Sequence, residues 1–107
     1  MSLEDFDTFQ SAASSTVKPS VVGNLTYFAL GLCGESGEVA EQIKKAIREG
    51  HDVDSDKLMF EVFDTVWYAS QILATQGISF SEMARRGLEK LRSRAERGVI
   101  SGSGSDR

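Results

Sequence analysis

The sequence predicts an all-α domain built from four helices, and three observations carry that expectation. A single proline, Pro19, interrupts the chain. No segment alternates β-branched and polar residues as a half-buried strand would. Apolar residues recur instead at three- and four-residue intervals over four stretches, most of them bounded by residues that satisfy free helix ends.

Ser2-x-x-Asp5 has the form of a capping box, in which each side chain satisfies the other residue's free amide. Leu3, Phe6, Phe9 and Ala13 follow at helical spacing, so the first helix is expected over 3–15. Pro19 breaks the chain there. The second helix is expected from about Val21 to Glu49, with Gly50 as its C-terminal cap. Its stripe is Leu25, Phe28, Leu32, Val39, Ile43 and Ala46, interrupted by Gly23, Gly31, Gly34 and Gly37. Each interior glycine costs up to about 1 kcal/mol against alanine. The cluster therefore predicts either a bend or a close approach to the backbone. Residues 51–54 read as a loop, where His51 is expected to be solvated. The third helix starts near Ser55 or Asp56 and ends before Gly77. Ser79-x-x-Glu82, a second capping box, opens the fourth, whose stripe is Phe80, Ala84, Gly87, Leu88, Leu91 and Ala95 and which closes at Gly98. With no repeat and no linker, 1–100 is expected to form one domain, followed by a mobile Gly/Ser-rich tail over 101–107.

The chain has 107 residues, 40% hydrophobic and 26% charged, an ordinary globular composition. The lone Cys33 excludes an internal disulfide and a cysteine-based zinc site, and is expected to be a small core residue. The acidic start lacks the apolar stretch of a signal peptide. No apolar run approaches the ~20 residues that span a bilayer. A cytoplasmic protein with no membrane partner is expected. A net charge of −4 argues against a nucleic-acid partner. That charge is unevenly spread: residues 1–64 hold twelve acids and five bases, and the remainder four acids and seven bases. An acidic centre with a basic end suits a site for metal ions and an anion, or simply two solvated helix faces.

The third helix is the most informative. From Leu58 to Ser81 its only charged residues are Glu61 and Asp64, set among Met59, Phe60, Val62, Phe63, Val66, Trp67, Tyr68, Ile72 and Leu73. Such a helix is expected to be buried almost all round. An isolated carboxylate there pays several kcal/mol in desolvation, and two at i and i+3 also repel each other. No base lies nearby on the same helix, and a divalent cation is the economical compensation because hard cations prefer carboxylate oxygen. The second helix carries a matching pair, Glu35 and Glu38, at the edge of its stripe. Two pairs facing a shared interior would form a four-carboxylate cage; the plain alternative is surface acids, with Glu38 loosely paired to Lys44 or Lys45.

The segment LGLCGESGEVAEQIKKAI followed by KLMFEVFDTVWYASQIL resembles the MazG-like all-α nucleoside triphosphate pyrophosphohydrolases. Their E-x-x-E, spacer, E-x-x-D signature matches Glu35, Glu38, Glu61 and Asp64. The C-terminal run KLRSRAERGVISGSG is similar to one MazG-like subgroup, so the resemblance covers about 25–104. Two positions depart from it: Phe63 stands where many relatives carry a small residue, and Gly34 where many carry an acid. The resemblance implies a four-helix bundle of MazG-like type, completed by oligomerisation. It also implies Mg²⁺, or Mn²⁺, held by the four acids, and cleavage of a (d)NTP between the α and β phosphates to a nucleoside monophosphate and pyrophosphate, in nucleotide-pool housecleaning. Phosphoryl chemistry agrees, since charge neutralisation and positioning dominate it.

A triphosphate needs further cations. Lys90, Arg94 and Arg97 share one face of the fourth helix and match basic positions of the similar C-terminal segment; Lys44, Lys45 and Lys57 are secondary candidates. A solvated face paired with Glu89 and Glu96 is the alternative. For the base, Trp67 and Tyr68 could stack or hydrogen-bond and Asn24 could read an edge, or the aromatics are core. Because four helices in so short a chain give little cover for the third, a homodimer or dimer of dimers is expected, with sites drawing on two subunits. A related pyrophosphohydrolase acting on another nucleotide, such as phosphoribosyl-ATP, and a non-catalytic helical interaction module remain alternatives. Di-iron chemistry fits poorly, since it wants Glu-x-x-His and the one histidine is His51.

Overall fold

A computed structural model describes residues 2–98. The described residues form four helices and no strand: α1 (Glu4–Ser14), α2 (Leu25–Glu49), α3 (Ser55–Thr75) and α4 (Phe80–Arg97). The tail expected over 101–107 lies outside the described residues.

The helix ends follow the capping residues with two corrections. At α1 the Ser2–Asp5 box does not form. Leu3 is already helical, so the Asp5 amide bonds to the Ser2 carbonyl at 3.1 Å and the Ser2 hydroxyl takes the Glu4 amide at 3.2 Å. At α2 the helix begins at Leu25, not Val21. Pro19–Val21 closes a 3₁₀ turn, Gly23 takes φ +73°, and Asn24 caps the helix by accepting from the Tyr27 amide at 3.0 Å. Elsewhere the capping positions hold, although one box is only half made. Asp54 caps α3 through the Asp56 and Lys57 amides. Gly50 and Gly98 end α2 and α4 in the left-handed conformation. Ser79 accepts from the Glu82 amide at 3.1 Å, but the Glu82 carboxylate turns forward to Arg85 at 2.6 Å, leaving that box half made.

α2 and α3 pack as an antiparallel pair in a fixed register. Gln42 donates to the Lys57 carbonyl at 3.3 Å. Further along, Glu35 meets Glu61 and Asp64, Gly31 meets Tyr68, and Phe28 faces Gln71 across a cavity. The small residue at 31 has a plain cause: a Cβ there would overlap the Tyr68 ring. A close approach, not a bend, explains this glycine. Gly34 and Gly37 instead look onto open space.

α1 crosses the closed end of this pair and carries α4. Phe6 and Phe9 pack on Phe80 with ring centroids 5.7 and 6.1 Å apart. Asp7 accepts from the Ser81 amide and hydroxyl at 2.8 and 2.6 Å. Gln10 accepts from the Phe80 amide at 3.0 Å and donates to the Ser70 and Ile78 carbonyls. The first free amides of α4 are thus satisfied by side chains of α1. The two bonds from Ser81 hold Asp7 below the ordinary aspartate pKa.

With α4 held on α1, no described residue covers the outer face of α2–α3. The radius of gyration is 16.5 Å, against about 13 Å for a compact chain of this length. The expectation that α3 is buried all round therefore fails within one chain: Phe60 is 63% exposed, and Met59, Val62 and Phe63 are also exposed. On α2, Ile47 is 78% exposed. Cys33, expected in the core, is exposed for the same reason. His51 is exposed as expected, its ring nitrogens at 2.8 Å from the Asp52 carbonyl and 3.1 Å from Glu49.

Candidate functional site

Three carboxylates converge where the register brings α2 and α3 together. Oxygen atoms of Glu35, Glu61 and Asp64 lie within 4.8 Å of one another, and all three residues are half-buried. Glu61 and Asp64 sit at i and i+3 on α3, one turn apart and on one side. Glu35 reaches them from α2. Glu38, the fourth member of the expected cage, is exposed and lies outside this group. Its charge still acts on Glu35. Among the described residues, Lys44 pairs with Glu41 at 3.7 Å and not with Glu38.

The electrostatics show a site short of positive charge. Glu35 is held above the ordinary glutamate pKa, first by burial, then by a hydrogen bond with Glu61 and by the negative charges of Asp64, Glu61 and Glu38. A divalent cation fits this donor set. Three oxygen ligands on two helices suit Mg²⁺ or Mn²⁺, which keep several water ligands beside one or a few carboxylates.

A cavity of about 290 Å³ opens beside the carboxylates, lined by Glu35, Phe63, Asp64, Trp67 and Tyr68. Phe63 is held against Phe9 of α1 at 5.8 Å, so the large side chain at this position ties the cavity wall to the first helix. Tyr68, fixed over Gly31, stands 4.9 Å from Trp67, ring centroid to centroid. Burial, a hydrogen bond with Tyr27, and the nearby Glu35 and Asp64 keep its phenol above the ordinary tyrosine pKa. Trp67 donates its indole N–H to Thr16 at 3.0 Å and packs edge-on against Phe28 at 6.0 Å.

The remaining sequence candidates are placed elsewhere. Asn24 spends its side-chain oxygen on capping α2. Lys90, Arg94 and Arg97 lie on α4, which packs on α1, and none of them lines the carboxylate cavity. Arg97 donates to the carbonyl and hydroxyl of Ser93, and Glu89 pairs with Arg85 at 3.8 Å. Spacing along α4 shows which residues share a face but not which helix that face meets. Sequence reasoning passed over Gln71, which is 3% exposed. The available signal was a polar residue at i+7 from Asp64 within an apolar run, hence on the same side of α3.

A family model described as "MazG nucleotide pyrophosphohydrolase domain" matches residues 24–99. The chain is similar to "Gene 37 protein" of Mycobacterium phage L5, 38% identical over 111 residues, a match covering 94% of this chain and 97% of that protein. No solved structure matches the chain significantly.

Proposed function

Because the chain belongs to the MazG nucleotide pyrophosphohydrolase family, we propose that it is a Mg²⁺-dependent enzyme, with Mn²⁺ as a substitute, that cleaves (d)NTPs between the α and β phosphates. The products are a (d)NMP and pyrophosphate, and the role is nucleotide-pool housecleaning. The observation that carries this reading is the meeting of Glu35, Glu61 and Asp64 within 4.8 Å beside an open cavity. A carboxylate trio of this kind costs stability unless a cation joins it. When bound, the cation would neutralise phosphate charge and make a nearby water more acidic.

The chain's own residues do the holding and orienting. Glu35, Glu61 and Asp64 would supply the ligand oxygens, with Glu38, three residues along α2, as the fourth ligand. Tyr68, braced on Gly31, lines the cavity. Trp67 walls the same cavity. Lys90, Arg94 and Arg97 serve as the phosphate-binding cations, delivered from the α4 of a second copy. The exposed apolar residues of α2 and α3, among them Leu30, Ile47, Met59 and Phe60, support a homodimer or dimer of dimers that covers this face. Among the described residues no helix is long and apolar enough to cross a membrane, in keeping with the proposed cytoplasmic location.

The test is pyrophosphate release from a panel of NTPs and dNTPs, with and without Mg²⁺, for wild type and Glu61→Gln. Release that needs metal and falls by roughly 10²- to 10³-fold in the variant is expected. Release that survives the substitution would remove the carboxylates as the site. Sedimentation of the native protein checks the oligomer, where a monomer at assay concentration would contradict the shared site.

A further inference from the structure

Phe63 stands directly before Asp64 and two residues after Glu61 on α3, and it lines the cavity beside the carboxylates. The ring is 47% exposed, so burial alone does not account for so large a side chain there. Its partner does. Phe63 meets Phe9 of α1 edge to face at 5.8 Å, Phe9 stacks on Phe80 at 6.1 Å, and Phe80 is buried. Gln10, next to Phe9, accepts from the Phe80 amide, and Asp7 accepts from the amide and hydroxyl of Ser81. The ring contact therefore ends on a part of α1 that is pinned by hydrogen bonds.

That contact acts on one degree of freedom of the site. Glu35 comes from α2, and Glu61 and Asp64 come from α3. The trio therefore depends on how the two helices are spaced and how each is rolled about its axis. Tyr68 against Gly31 sets the spacing. The roll of α3 at the carboxylates is set where Phe63 meets α1. A carboxylate oxygen lies about 5–6 Å from its helix axis, so a roll of about 10° carries it about 1 Å. Mg²⁺ takes oxygen at about 2.0–2.1 Å in near-ideal octahedral geometry, whereas Ca²⁺ accepts about 2.3–2.6 Å and flexible coordination. A displacement of about 1 Å exceeds the difference between those bond lengths, so a loosely held α3 penalises the smaller cation first.

We propose that Phe63, braced on Phe9, is a positioning residue for metal choice. It fixes the roll of α3 under Glu61 and Asp64 and so favours a small octahedral cation over a larger one. The proposal rests on the reading of Glu35, Glu61 and Asp64 as the metal site. Phe63 gives the metal no ligand atom and acts through the helix that carries two of the ligands.

The experiment titrates metal-free protein with Mg²⁺ and with Ca²⁺, without nucleotide. Binding is followed by the fluorescence of the one tryptophan, Trp67, which lines the same cavity, and by the thermal midpoint of the same samples. Wild type is compared with Phe63→Leu, which keeps apolar bulk and loses the ring, and with Phe9→Leu, which alters the brace from outside the cavity lining. The double variant and Glu61→Gln complete the set. Each leucine variant should bind Mg²⁺ roughly 3- to 10-fold more weakly, in line with the worth of an aromatic pair. Ca²⁺ affinity should change by less than about twofold. The double variant should lose no more Mg²⁺ affinity than either single one, because the two rings make one contact. A merely structural role would lower the metal-free midpoint without moving the ratio of the two affinities. An unchanged ratio, or equal losses for both cations, with Glu61→Gln failing to bind, would overturn the brace and keep the metal site. Glu61→Gln binding as tightly as wild type, or wild type binding neither cation by either signal, would remove the metal site and the proposal with it.

Discussion

One helix pair carries two different environments. Where α1 crosses it, the α2–α3 seam is closed: Phe28, Ser70 and Gln71 are buried, and side chains of α1 bond to Gln71, to the Ser70 carbonyl and to the Trp67 indole through the adjoining turn. Two to three turns away the same seam is open. There Gly34 and Gly37 face empty space, Met59, Phe60 and Val62 are exposed, and three carboxylates crowd together. Fold stability is concentrated at the closed end and unmet charge at the open end. Acidic groups that repel one another are tolerated because the packing that holds their helices together lies elsewhere.

Substitutions at the two ends should therefore move different quantities. The largest stability loss is expected at the closed end. Phe28→Ala should cost about 3–5 kcal/mol in denaturant unfolding, since it empties the best-buried aromatic position. That is a large share of the 5–15 kcal/mol typical of a domain. A loss below about 1 kcal/mol would show that the seam, not this end of it, carries the stability. Gln10→Ala, which removes an acceptor from the Phe80 amide and donors from two carbonyls, should cost roughly 1–3 kcal/mol and loosen α4 before the rest. Hydrogen exchange along α4 checks this, with faster exchange confined to its first turns as the expected result.

The glycines sharpen the contrast within one helix. Gly31→Ala must displace Tyr68 and should lower both stability and activity. Gly34→Ala meets nothing and lies in a helix interior, so it should stabilise by roughly 0.5–1 kcal/mol in thermal or denaturant melts. A stabilised Gly34→Ala with reduced turnover would show that substrate or a second copy approaches that backbone.

The smallest effects are in pH, and they carry opposite signs. Asp7 is held below its ordinary value by Ser81. Its contribution is present above the unfolded aspartate value and is lost as pH falls through the lowered folded one. Glu35 is held above its ordinary value by burial and its acidic neighbours. In metal-free protein its contribution is full below the unfolded glutamate value and is lost as pH rises through the raised one. Melts across the acid range should show Asp7→Asn flattening the low-pH decline and Glu35→Gln flattening the decline on the higher side. Identical profiles for both variants would contradict these assignments.

Local signals were legible at three helix ends and failed at two, the Ser2–Asp5 box and the start of α2. Gly50, Gly98 and Ser79 bound their helices as expected because capping is decided by a few neighbouring residues. Asn24 shows the limit of reading side chains singly, since its oxygen serves the helix it precedes. The pairing of Glu35 with Glu61 and Asp64 was legible because regular helices convert spacing into a shared face. The exposure of Glu38 was not, since the roughly 60° offset between positions three apart on a helix decides it. What α4 packs on was illegible as well. It rests on Asp7 and Gln10 reaching residues about seventy positions away, and no local pattern encodes that. The cavity at Gln71 escaped for the same reason, since Ser14 and Val17 reach it from another part of the chain.

Thermal unfolding of wild type and Glu61→Gln at one fixed protein concentration, with and without Mg²⁺, tests the open end most directly. Relief of repulsion should make metal-free Glu61→Gln at least as stable as metal-free wild type. Mg²⁺ should raise the wild-type midpoint, because it binds the folded chain alone, and should leave the variant unmoved. Equal gains in both proteins would place the cation elsewhere and contradict the carboxylate trio as the metal site.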